Sequence, residues 1–113
     1  MKFKIEGDLL QTLEIQLEQG ESVYTESGGM AWLQGAVEMK TGARGGLMSS
    51  LGRKLAGESL FMTTYTAQSG TGMIVFTPEA PGKVILKELA AGESLICQKD
   101  AFMVAQSSVK LEI

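Results

Sequence analysis

Residues 11–18, QTLEIQLE, alternate strictly between apolar and polar side chains. Leu13, Ile15 and Leu17 fall on one side of an extended chain, and Thr12, Glu14, Gln16 and Glu18 on the other. Successive side chains leave a pleated strand in opposite directions, so a period of two specifies a β-strand with one buried face. The signal recurs. Residues 1–6 set Phe3 and Ile5 against Lys2, Lys4 and Glu6, and Val23–Glu26 is a short run of β formers. Met30–Leu33 and Ala36–Lys40 read as two strands separated by a tight bend at Gln34-Gly35. Ser59–Ala67 reads as another, closed by a turn at Ser69–Gly72. Met73–Thr77 is continuously apolar up to Phe76, which predicts a strand covered on both faces. Residues 83–89 (KVILKEL) predict a strand, residues 94–98 and 101–106 a pair across Lys99-Asp100, and residues 108–113 a last strand. Trp32 and Cys97 are expected as core and as core or half-buried residues, respectively, on such strands. About ten short strands with turn chemistry between them define an all-β sandwich or barrel, here one domain spanning residues 1–113.

One stretch breaks the pattern. Residues 41–61, TGARGGLMSSLGRKLAGESLF, are rich in glycine and hold both arginines, Arg44 and Arg53, with Lys54 beside the second. Leu47, Leu51 and Leu55 recur at helical spacing, so the reading is one short central helix or an ordered loop. Arg44, Arg53 and Lys54 form a candidate anion site for a phosphate, a nucleotide tail or a lipid headgroup. The same segment, with its leucines, could instead dock on the sheet or on a second subunit, or rest on a membrane surface. The phosphate-loop pattern is incomplete, because Arg53-Lys54 is followed by Leu55 where serine or threonine is required.

The triplet Gly-Glu-Ser occurs three times, at residues 20–22, 57–59 and 92–94, at intervals of 37 and 35 residues. A turn motif at near-equal spacing marks repeated supersecondary units. Glu21, Glu58 and Glu93 are then either solvent-facing turn acids or, if the turns converge, a carboxylate cluster.

Composition excludes several chemistries. The chain has no histidine and one cysteine. That removes His-dependent nucleophile systems and His-ligated metals, and a single chain cannot assemble a zinc tetrahedron. A net charge of −3 argues against a dedicated nucleic-acid binder. No apolar run has bilayer length, and the residues behind Lys2 and Lys4 form no apolar signal region, which predicts a cytoplasmic protein.

Three segments taken together, GESVYTESGGMAWLQGAVEMKTG, GGLMSSLGRKLAGESLFMTTYTA and GTGMIVFTPEAPGKVILKEL, resemble the family named for altered inheritance of mitochondria, over Leu17 to Ala105. The resemblance implies a TRAP-like fold, similar to the tryptophan RNA-binding attenuation protein and built as a double-stranded β-helix. It implies no enzyme activity and no cofactor, and it does not carry RNA binding with it. Family members usually run to double this length, and often have proline where Gln19 stands. The shorter chain suggests that a second copy supplies the missing half. The expectation is therefore a self-associating, non-enzymatic β-domain acting as scaffold or binding module. The alternative is a protein that binds a small anion through the central basic segment.

Overall fold

A computed structural model describes residues 1–26, 28–43 and 61–112. They form six strands: β1 (Lys2–Glu6), β2 (Thr12–Leu17), β3 (Ser22–Glu26), β4 (Met30–Ala43), β5 (Phe61–Phe76) and β6 (Ala105–Gln106). A 3-10 turn lies at Lys99–Ala101. All six strands pair antiparallel in one sheet, ordered β1-β2-β5-β3-β6, with β4 along β5. The all-β reading holds, as one curled sheet. The predicted central helix or ordered loop lies outside the described residues.

The sheet is built around β5. Along one edge it carries β4 over nearly its whole length. Along the other it carries β2 opposite Gly72–Phe76 and then β3 opposite Met62–Thr66. Between them the chain turns at residues 18–21, held to β5 by Gly20 N–H to Ala67 O (2.8 Å) and Ala67 N–H to Glu21 O (3.1 Å).

β5 does not run straight. Tyr65 and Phe76 are eleven residues apart, which in a straight strand means roughly 36 Å. Their rings nevertheless meet edge to face, with centroids 5.5 Å apart and planes at 81°. The strand therefore turns a corner between them and folds its two halves toward each other. The inner face of that fold is the core: Leu13, Ile15, Leu17, Val23, Tyr65, Ala67, Ile74 and Phe76. Burial of Ile74, Val75 and Phe76 bears out the strand predicted to be covered on both faces.

The corner explains why two expected turns are absent. Gln34-Gly35 and Ser69–Gly72 lie inside continuous strands, because each stretch keeps a pairing partner alongside it. The register of β4 on β5 shifts there, between Gln34 and Val37, as it must when two strands of unequal path follow one bend. Gly35 adopts φ +96°, and a Cβ on it would lie 2.8 Å from the Thr71 carbonyl oxygen. A Cβ on Gly72 would lie 2.4 Å from a Val37 methyl.

A further register shift between Met30 and Trp32 reverses another expectation. Met30, opposite Phe76, packs against the core, and so does Leu33, opposite Ile74. Three-residue spacing between inward residues is possible only with an extra residue in between. Trp32 is thereby placed opposite Val75 on the outer face, where it is 48% exposed, and is not a core residue.

The C-terminal third departs most from the alternation. Residues 83–98 enter no ladder among the described residues, and residues 108–112 form no strand. The predicted pairing of 94–98 with 101–106 is replaced by β6 on β3. What holds this segment is side-chain chemistry. The Val84 N–H donates to Gln11 Oε1 (2.6 Å), the buried Thr25 hydroxyl donates to the Met103 carbonyl, and the buried Tyr24 hydroxyl donates to the Val109 carbonyl (2.7 Å). Val84, Met103 and Val104 pack on the core, and Phe102 lies against Tyr24 at 6.1 Å.

The corner yields a prediction. Gly35→Ala should destabilise the fold by about 1–3 kcal/mol, since it combines positive φ with a backbone collision. Gly42→Ala, on the same strand with open space at its Cβ, should leave stability unchanged or slightly raised. Denaturant unfolding midpoints of the two variants test the contrast.

Candidate functional site

The candidate anion residues Arg44, Arg53 and Lys54 lie outside the described residues, as does Glu58. The described ends of β4 and β5 form a shallow groove of ≈ 300 Å³ lined by Glu38, Lys40, Thr41, Gly42, Met62, Thr64 and Thr66. Cross-strand pairing sets this surface: Glu38 stands opposite Thr66, and Lys40 opposite Thr64. Glu38 accepts a hydrogen bond from Gln68 Nε2 at 2.6 Å. The Thr41 and Thr63 hydroxyls pair at 3.0 Å. Every buried side-chain polar atom among the described residues has a partner. The groove therefore presents opposite charges close together on an exposed strand, without a buried polar group aimed at a ligand.

Two of the three Gly-Glu-Ser turns are described, and they have the same construction. The Glu21 N–H donates to the Glu18 carbonyl (3.0 Å), and the Glu18 N–H returns a bond to Glu21 Oε1 (2.8 Å). The Glu93 N–H donates to the Ala90 carbonyl (2.9 Å), and the Ala90 N–H reaches Glu93 Oε1 (3.3 Å). Gly20 and Gly92 occupy the third turn position at φ +86° and +85°. That is a type II turn, whose third position favours glycine, closed by a glutamate side chain. The repeat thus encodes a self-contained turn in which the carboxylate is spent on its own backbone. Among the described residues no group of three His, Cys, Asp or Glu is placed to hold a metal ion.

Glu21 has a further partner, the Met1 ammonium at 2.9 Å. The Glu18 amide first, then the Met1 ammonium, hold its carboxyl below the ordinary carboxylate value.

The feature that sequence reasoning missed is apolar. Ile85 is 84% exposed and Ile96 96%, and Leu86 and Leu95 beside them are also exposed. Val84 faces the core, so the segment is apolar on its outer side as well as its inner side. The signal was present in the doublets Ile85-Leu86 and Leu95-Ile96, which break simple alternation. Cys97, expected in or near the core, is exposed on the same segment and lies in no strand. No described helix is long and apolar enough to cross a membrane.

A curled antiparallel sheet, structural turn acids and an uncovered apolar segment together define a β-domain whose conspicuous surface is suited to packing. Comparison with known proteins agrees in fold and adds ancestry: the family model for mitochondrial biogenesis AIM24 matches residues 3–113, and the chain belongs to that family. It is 30% identical over 122 aligned positions to an uncharacterised protein of Streptococcus pyogenes serotype M6, covering 100% of this chain and 48% of the relative. It is also similar to a crystal structure of a Streptococcus pyogenes protein, with a TM-score of 0.68 and 28% identity, covering 95% of this chain and 50% of that one. The chain thus spans about half the length of the curated relative it matches.

The Glu21 geometry predicts a pH dependence. A carboxyl whose value is lowered by folding contributes stability that is present at neutral pH and lost as pH falls through the lowered folded value. The gap in thermal midpoint between the wild-type chain and Glu21→Gln should therefore be open at neutral pH and close as pH falls through the lowered folded value. Melting curves across that range measure it.

Proposed function

We propose that this chain is a non-enzymatic scaffold or binding module that works by self-association, and that its curled sheet is one half of a TRAP-like double-stranded β-helix. The observation that carries this reading is the uncovered run of Ile85, Leu86, Leu95 and Ile96 on a segment whose inner side already packs on the core. Large apolar side chains left exposed on one segment mark a candidate interaction site. The run has Lys83, Lys87, Glu88 and Glu93 around it. In the streptococcal relatives, about half of the chain lies beyond the match and is long enough to supply a covering layer. In this reading a second copy of the chain packs on the exposed run.

Magnitudes limit what the run can do alone. Fully burying an isoleucine or leucine is favourable by roughly 1.5–3 kcal/mol, less where the side chain is already half covered. Association costs about 4–15 kcal/mol in lost freedom. The four side chains reach the lower part of that range, so a stable assembly needs further contacts.

Light scattering at high protein concentration should give a multiple of the single-chain mass. Ile85→Lys combined with Ile96→Lys removes about 3–6 kcal/mol of apolar burial from each copy's contribution, enough to weaken association well beyond tenfold. Thermal stability of the dissociated chain should stay unchanged, because both side chains are already in solvent. A strictly monomeric wild-type chain would sink the reading.

A further inference from the structure

β4 runs for fourteen residues along one edge of β5, and no described strand pairs with its outer edge. Beyond the shifts at Gln34–Val37, the ladder with β5 is regular from Val37 to Ala43. A strand paired regularly along one edge can accept another along its other edge, where unpaired N–H and C=O groups are a template for one. The side chains say which strand. Met39 is half exposed and stands opposite Tyr65, on the core side. Glu38 and Lys40, either side of it, are exposed on the outer face.

We infer that the β4 edges of two copies of this chain pair antiparallel about a two-fold axis at Met39. The proposal rests on the self-association reading and names a contact separate from the Ile85–Ile96 run. A two-fold axis normal to the sheet keeps each side chain on its own face, so residues whose numbers sum to twice 39 stand opposite each other. Met39 then meets its own counterpart. Glu38 of each copy meets Lys40 of the other, giving two opposite-charge cross-strand pairs. Val37 meets Thr41 on the core side. Glu38 keeps capacity for this contact, because a carboxylate has more acceptor sites than its bond from Gln68 occupies. Met39 lies beside Tyr65, so the two partly open cores become continuous across the junction. A shift of the axis by one residue toward either neighbour would place Glu38 or Lys40 against itself, and like charges directly opposite are disfavoured. The charge order therefore selects one register.

The test uses the whole chain. Glu38→Lys alone and Lys40→Glu alone each set like charges opposite one another at both pairs, and each should weaken self-association about tenfold or more. An equimolar mixture of the two single variants puts all lysines on one chain and all glutamates on the other, so it should associate again. The double variant Glu38→Lys/Lys40→Glu should also recover. In a Cys97→Ser background, Met39→Cys should yield a covalent dimer under mild oxidation, whereas Lys2→Cys on the β1 edge should not. Charge variants that associate like wild type, or equal cross-linking from positions 39 and 2, would overturn β4 pairing while the scaffold reading survives on a different contact. A wild-type chain that is monomeric throughout would overturn both.

Discussion

The contact between Tyr65 and Phe76 is the constraint from which the rest of the architecture follows. It forces the longest strand to fold back over its own inner face, and every neighbour has to take the same corner. Three neighbouring paths do so by three devices. The β2–β3 path uses a type II turn with Gly20 at its left-handed position. β5 bends between Ala67 and Gly72, with Gly70 at φ +66°. β4, on the far edge, takes the corner in three steps from Gln34 to Val37 where β5 takes six from Met73 to Ala67, with Gly35 pressed against Thr71. Glycine is needed at Gly35 because the Thr71 backbone approaches too closely for a Cβ, and Gly72 leaves the space that a Val37 methyl occupies.

The same corner decides what could be read from the chain beforehand. β2 was legible because it has one buried face and clean alternation, with Leu13, Ile15 and Leu17 inside, whereas β3, buried at Val23, Tyr24 and Thr25 in succession, was legible from its β-forming residues. Burial of Ile74–Phe76 on both faces was legible from the lack of alternation. The continuity of β4 and β5 was not, since Gln34-Gly35 and Ser69–Gly72 carry the composition of turns. Glycine reports a backbone conformation; whether the ladder stops or bulges there depends on partners distant in sequence. Trp32 was misplaced for the same reason, because one extra residue before it reverses its face.

Site residues divide along similar lines. The bland reading of Glu21 and Glu93 as turn acids was available from Gly-Glu spacing alone, and their carboxylates do close their own turns. A local motif is legible because its hydrogen bonds span only three residues. The exposure of Ile85 and Ile96 was not legible. Both sit in runs that read as ordinary strands, and alternation within a run does not reveal whether another layer packs on its outer side.

Natural sheets protect their edges, and the distribution of protection along β4 is informative. From Met30 to Val37 the strand carries three register shifts and the bulky Trp32, features that spoil a flat edge. From Val37 onward these stop, and the only charged side chains before the described strand ends are one glutamate and one lysine, two residues apart. A lone lysine there would repel a copy of itself across a two-fold axis. Glu38 converts that repulsion into complementarity at one register and leaves it in force when the axis moves to either charged neighbour. An edge guarded along half its length and charge-matched to itself along the other half is the pattern expected where selection favours one partner strand and discourages the rest.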